Sequence, residues 1–416
     1  FRLLPKGVIS DATGHSAYFV SEVDRNRVMC FCNTSVAQSL ISAINPTVHF
    51  HIGYFKKLPV PEIESSVAKT TVDNAVRLAK SDWDSHETSW DFTTLPVLQH
   101  KQATVQASQK AADADCLARF VSMKKLEEDN NRLYINTYGL QNELSPEVPD
   151  DQITLHRPDR TEEAKRLLSY GIGCMMGRYS LDQPGLILAN AGHSVAEYIA
   201  KVGKPLDGLA FRPDEDGIIP ITEARWFPDD ATERLAEFIA QAWPREHLEE
   251  NLKFIADALE SNRDEHPRDT IRRYLATGFY KDHLSTYKKR PIYWLFSSGK
   301  QRAFQALVYL HRYAPGTLAR MRTEYVIPLQ GKIRTRIEQL AGDIPAATST
   351  SHRRKLEKER ETLIKQQAEL ATFDEKLRHY ADQRITLDLD DGVKVNYGKF
   401  GDLLADVKAV TGGKDE

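Results

Sequence analysis

The chain has 416 residues, 41% hydrophobic and 28% charged, enough for two or three domains with real cores and unlike a disordered or fibrous sequence. Its net charge of −3 would exclude a polynucleotide binder only if the charge were evenly spread. No apolar run approaches the roughly 20 residues of a membrane helix, and four irregularly spaced cysteines point to a reducing cytoplasm rather than a disulfide framework.

The chain opens at Phe1, and residues 2–6 are too short for a signal peptide, so the start reads as a cut end. Residues 16–20 and 27–31 predict strands, joined by a turn at Asp24-Arg25-Asn26. Asn33 can cap a helix through Ile44, stopped by Pro46. Residues 58–61 (LPVP) form a stiff extended strip, because each proline biases its predecessor away from helix. Residues 65–140 predict a helical linker with a thin apolar stripe at Val67, Val72, Val76 and Leu78. Residues 150–287 are mainly helical. Asp159 begins a capping-box pattern, Asp229 or Asp230 can cap a second helix, and Leu248, Leu252, Ile255 and Leu259 share one helix face.

A short strand follows at residues 291–296, then a turn at 297–300. Residues 303–313 fit strand or helix. The next pattern predicts a helical hairpin. Its first helix carries Leu318, Met321, Tyr325, Leu329, Ile333 and Ile337, with Pro328 at a kink or break. Its second carries Leu356, Leu363, Leu370 and Leu377, a seven-residue repeat better read as an internal antiparallel pair than as a dimerising zipper. The tail, 385–397, alternates around Asp391-Gly392 and predicts a β-hairpin. The segments are therefore 1–64 (a small α/β recognition domain), 65–149, 150–287, 288–316, 317–384 and 385–416. The fold class is α+β, mainly helical, with a long antiparallel helical hairpin.

Charge is concentrated in one place. Residues 285–336 hold Lys288, Lys289, Arg290, Lys300, Arg302, Arg312, Arg320, Arg322, Lys332, Arg334 and Arg336, against the single acid Glu324. That stretch is +10, so the rest of the chain sums to −13. Clustered cations release counterions from duplex DNA and bind it, and arginine can read guanine edges. Interleaved aromatics make Tyr293, Trp294 and Phe296 candidates for base stacking or recognition. The bland alternative is a face neutralised by acids of the same chain.

Other motifs are weaker. Cys30, Cys32, His49 and His51 could hold zinc, but C-x-C is not the usual spacing, and on a strand the two thiols would share a core face. No metal site is expected. Gly171, Gly173 and Gly177 follow a helix rather than a strand, which suits a close-packed helix end better than a dinucleotide loop. Asp388, Asp390 and Asp391 lack the twelve-residue calcium pattern. Residues 45–48 (NPTV) resemble the Asn-Pro-Pro-Tyr signature of adenine methyltransferases but lack its second proline and its aromatic. No catalytic residue is assigned.

Several strings converge on one family: 31–34 (FCNT), 45–53 (NPTVHFHIG), 58–61 (LPVP), 81–92 (SDWDSHETSWDF), 170–182 (YGIGCMMGRYSLD), 289–297 (KRPIYWLFS) and 390–397 (DDGVKVNY). Together they resemble PglX/BrxX, the adenine-specific DNA methyltransferases of BREX phage-defence systems, over nearly the whole chain. The resemblance implies S-adenosylmethionine-dependent methylation of adenine in a short asymmetric site by a parent enzyme whose catalytic half lies upstream. This chain would be the C-terminal, target-recognising portion, binding no cofactor itself and inactive alone. Implied partners are double-stranded DNA and other BREX proteins, with a phage DNA mimic as a competitor, and the chain would be a monomer. A protein-docking module is the alternative.

Overall fold

A computed structural model describes residues 1–5, 7, 8, 15–45 and 52–412. The fold is α+β and mainly helical. It divides into two compact units. One comprises Phe1–Ser89 with Ala111–Pro158, the other Trp90–Lys110 with Asp159–Glu416.

Among its described residues the first unit has helices joined by coil and no strand, which corrects the α/β expectation for its N-terminal part. Residues 27–31 lie in a helix, Glu22–Cys32, and Asp24-Arg25-Asn26 belongs to its first turns. Residues 16–20 form no strand. A short apolar run does not distinguish strand from helix. The cap decides here: Ser21 accepts from the Asp24 amide, with Glu22 and Asp24 acidic in the first turn, where the helix dipole favours negative charge. Asn33 ends this helix, and Thr34 caps the next, Ser35–Ile44. The Asn130 amide donates to the Cys30 carbonyl at 2.9 Å, and Asn131 Oδ1 accepts from the Ser35 amide at 2.9 Å. Two asparagines thus satisfy backbone groups left open where two helices meet. Phe31, Val36, Val72, Tyr134 and Ile135 form the core. The helices Ser65–Trp83 and Val105–Tyr138 fall in the region expected to be helical.

The second unit contains an antiparallel sheet in the order β1-β3-β2, with β1 Ile218–Ile221, β2 Tyr293–Ser297 and β3 Gln305–Tyr309. The ambiguous run 303–313 is therefore strand followed by a short 3-10 turn. Strand β3 is buried along its length and pairs Val308 with both Ile218 and Trp294. Such continuous apolar strands need cover on both faces. Asp159 caps the helix Arg160–Met175, and Asp230 caps Ala231–Ala242.

The helical hairpin is present. Leu356, Leu363, Leu370 and Leu377 are buried on the helix Thr350–Asp382, in the same core as Leu329, Ile333 and Leu340 of Ile327–Ala346. The leucine repeat is satisfied inside this chain. Before Pro328 the helix widens into a π turn over Met321–Val326. Proline lacks an amide hydrogen and crowds the carbonyl four residues back, and a wider turn accommodates both.

The predicted C-terminal β-hairpin is not formed. Residues 389–391 make a 3-10 turn capped by Asp388, and Gly392–Gly398 is a helix. The alternation at Val393, Val395 and Tyr397 gave way to packing: Tyr397 is fully buried, edge-to-face with Trp294 at 5.3 Å. No described helix is long and apolar enough to cross a membrane.

Candidate nucleic-acid interface

The eleven cations of residues 285–336 have different fates. Lys288, Lys289 and Arg290 follow the helix Tyr280–Thr286 and are all exposed. They lie on a tight turn in which the Lys289 amide donates to the Leu284 carbonyl at 2.7 Å and the Arg290 amide to Tyr287 at 2.9 Å. Lys288 and Lys289 have φ of 50° and 60°, a left-handed conformation that costs an L-residue roughly 1–2 kcal/mol. His283 fixes the far side of the turn. Its Nε2 accepts from the amides of Ile292 at 3.2 Å and Tyr293 at 3.1 Å. Among the described residues none pairs with Lys288, Lys289, Arg290, Lys300 or Arg334.

The remaining cations are answered within the chain. Arg302 lies 3.4 Å from Glu223, and Arg320 lies 3.3 Å from Glu324. Arg322 donates to Asp374 at 3.1 Å and Arg336 to Glu359 at 2.8 Å. Lys332 donates to the Trp226 carbonyl at 2.6 Å and sits 4.6 Å from the Phe227 ring centre. Arg312 is buried and donates to the carbonyls of Asp214 and Glu215, both at 2.7 Å. It is removed from the DNA-contact set, because its guanidinium is committed to the loop before β1.

Tyr293, Trp294 and Phe296 are also corrected. All three are essentially unexposed. Trp294 Nε1 donates to the Pro291 carbonyl at 3.0 Å, and Phe296 packs on Phe400 at 5.7 Å. They form the core beneath the basic turn and cannot stack on a base.

Lys300 stands on the β2–β3 loop, which is held from the hairpin by Glu369. That carboxylate accepts from Ser298 Oγ at 2.7 Å, the Gln301 amide at 2.7 Å and the Ala303 amide at 3.3 Å. Gly299, at φ 134°, passes so close that an added Cβ would lie 2.9 Å from Glu369 Oε2. Residue reasoning overlooked Glu369 because its partners are some seventy positions away.

Cys30 and Cys32 lie on a helix, not a strand, and burial pushes their thiols up to about 12 and about 11. Both are core groups. His49 and His51 lie outside the described residues, as do Pro46, Thr47 and Val48 of the Asn-Pro pattern. The glycines near residue 173 form a close-packed helix end. A Cβ on Gly171 would meet Leu235 at 2.6 Å, and one on Gly173 would meet Tyr179 at 2.5 Å. The space beside these glycines is filled by side chains.

Burial and, secondarily, the charge of Arg178 hold the His283 imidazole down at about 3. Below pH 6.5 the unfolded chain takes up a proton that folded His283 refuses, so its contribution erodes as pH falls, by about 2 kcal/mol at pH 5. Asp214 acts in the opposite sense: burial and the neighbouring Asp216 raise it to about 7. The measurement is therefore a comparison. Urea unfolding at pH 7 and pH 5 should show His283→Gln losing less stability on acidification than the parent; equal losses would show that His283 is solvated.

No protein-family model matches the chain. The adenine-specific methyltransferase BrxX of Escherichia coli O9:H4 (strain HS) is 40% identical over 439 residues, an alignment covering all of this chain and 36% of that protein. The chain is a relative of the BrxX/PglX adenine-specific methyltransferases. PglX of Lacticaseibacillus casei (strain Zhang) is 38% identical over 418 residues, covering 99% of this chain and 34% of its own length. The chain thus spans about a third of the length of the BrxX and PglX proteins it matches.

Proposed function

We propose that this chain is the DNA-recognising and duplex-clamping portion of an adenine-specific DNA methyltransferase that uses S-adenosylmethionine and acts in BREX phage defence. The observation that carries the reading is the turn Lys288-Lys289-Arg290: three exposed cations, without carboxylate partners among the described residues, on a strained backbone fixed from below by His283. Lys300 and Arg334 add open charge. Phosphate contacts of this kind position a protein on a duplex, and base contacts then specify sequence. Methyl transfer belongs to the parent enzyme, and no catalytic step is assigned to these residues.

The test is fluorescence anisotropy with duplex DNA across a salt series. K288E/K289E/R290E is expected to weaken binding at least tenfold at low salt. It should also flatten the salt dependence by about 0.9 per lost phosphate contact. Unchanged affinity would overturn the proposal. One observation favours a second reading, docking of another protein: Trp90 is 95% exposed, and exposed aromatics are enriched at protein interfaces. Preference for one duplex sequence separates recognition from docking.

A further inference from the structure

Arg178 differs from the two buried arginines of its unit. Arg272 meets Asp230 at 2.6 Å, and Arg312 meets two carbonyls. No described carboxylate lies within ion-pair distance of Arg178. Its Nε donates to Tyr179 Oη at 3.0 Å and its Nη1 to Tyr309 Oη at 3.5 Å. Its guanidinium carbon lies 5.2 Å from the Tyr179 ring centre and 6.0 Å from that of Tyr287. A guanidinium carries five N–H donors, so the two phenols leave most of the fork unanswered. Tyr309 already donates its own proton to the Leu188 carbonyl at 2.7 Å.

The surroundings hold further buried ring nitrogens without partners. His283 is 3% exposed, and its Nε2 accepts two amides, so the neutral ring carries its hydrogen on Nδ1. That atom is buried and has no acceptor among the described residues. The Nδ1 atoms of His311 and His193 are also buried without a partner. The charge of Arg178 bears on both His283 and His311, and His193 bears on His311. A buried donor without an acceptor is costly; an anion would take the His283 Nδ1 hydrogen and the open Arg178 N–H groups, and His311 and His193 can each turn a ring hydrogen to it in the tautomer that carries one on Nδ1. Arg178 is itself partly exposed. The exposed Lys288, Lys289 and Arg290 begin one residue beyond Tyr287.

We propose that Arg178, with His283, His311 and His193 around it, forms a binding site for a phosphate group. A planar fork favours an oxyanion over a neutral ligand. The cations next to Tyr287 favour a phosphate, with its larger charge and oxygen count, over a lone carboxylate. The phosphate could belong to a free nucleotide or to a nucleic-acid backbone. This site does not depend on the duplex-binding proposal.

Thermal unfolding and titration calorimetry on the whole chain, at constant ionic strength with chloride as reference, would test it. The probes are inorganic phosphate, ADP and a ten-nucleotide oligo-dT. At least one is expected to raise the melting temperature and bind, with affinity reduced at least tenfold in Arg178→Lys, which keeps the charge but loses the fork. His311→Gln, at a less buried position, should weaken binding about fivefold and serves as the second variant if Arg178→Lys does not fold. Binding of phosphate or ADP would identify a free-ligand site; binding of oligo-dT alone would identify a backbone contact. No binding by any probe, or equal binding by both variants and the parent, would show the cage to be structural only. Duplex binding lost in K288E/K289E/R290E but retained in Arg178→Lys would leave the two proposals separately decided.

Discussion

Asp230→Ala is expected to lower stability by about 3–5 kcal/mol, the usual cost of breaking a buried ion pair by removing one partner. Asp230 is fully buried and does two jobs. Its Oδ1 accepts from the Thr232 and Glu233 amides at 3.0 and 3.1 Å, which caps the helix Ala231–Ala242. Its Oδ2 takes Arg272 Nη1 at 2.6 Å, and the same nitrogen reaches the Thr222 carbonyl at 3.2 Å, just beyond β1. Alanine removes the cap and strands a buried guanidinium beside Glu233, whose carboxylate is 3.6 Å away. Urea unfolding followed by tryptophan fluorescence measures the loss. Adding Arg272→Met should recover part of it, because the stranded charge goes too. A loss below about 1 kcal/mol would mean that water reaches the pair.

Trp294→Ala should be nearly as severe, about 3–5 kcal/mol, the range for emptying a large aromatic site in a core. Trp294 sits in β2 opposite Val308, with Tyr397 and Phe400 edge-on to its ring at 5.3 and 5.6 Å. The result separates two roles. A core tryptophan costs stability when removed. A base-stacking tryptophan would cost affinity and leave the melting temperature unchanged. Lys289→Glu, four positions before β2, should behave in the opposite way.

Much of the second unit was legible in the residues. Asp159 and Asp230 lie at helix starts, and their short carboxylates cap as local chemistry requires. The leucines at 356, 363, 370 and 377 keep one face of a helix, and that face is buried. Local patterns failed where a distant contact decides. At residues 27–31 a short apolar run fits strand and helix alike, and at 393–397 a five-residue alternation is too short to hold a strand against tertiary packing. Asn130 and Tyr134 complete the first as helix, and Trp294 packs against the second. The basic segment was visible as charge. Which of its members are open was not, because Glu223, Glu359 and Asp374 lie 23 to 79 positions from the cations they meet. Arg178 drew no notice, since Tyr287 and Tyr309 are over a hundred residues away in sequence.

The outer edge of β2 is closed from the far end of the chain. The Ala405 amide donates to the Leu295 carbonyl at 2.8 Å, and Phe296 bridges to Leu404. An uncovered edge with buried-type aromatics is a template for pairing between molecules. During synthesis the sheet that begins at Ile218 therefore keeps a sticky flank until Leu404 has cleared the ribosome. Any shortened version that retains the basic turn but stops before that point should aggregate rather than fold, whatever its affinity for DNA.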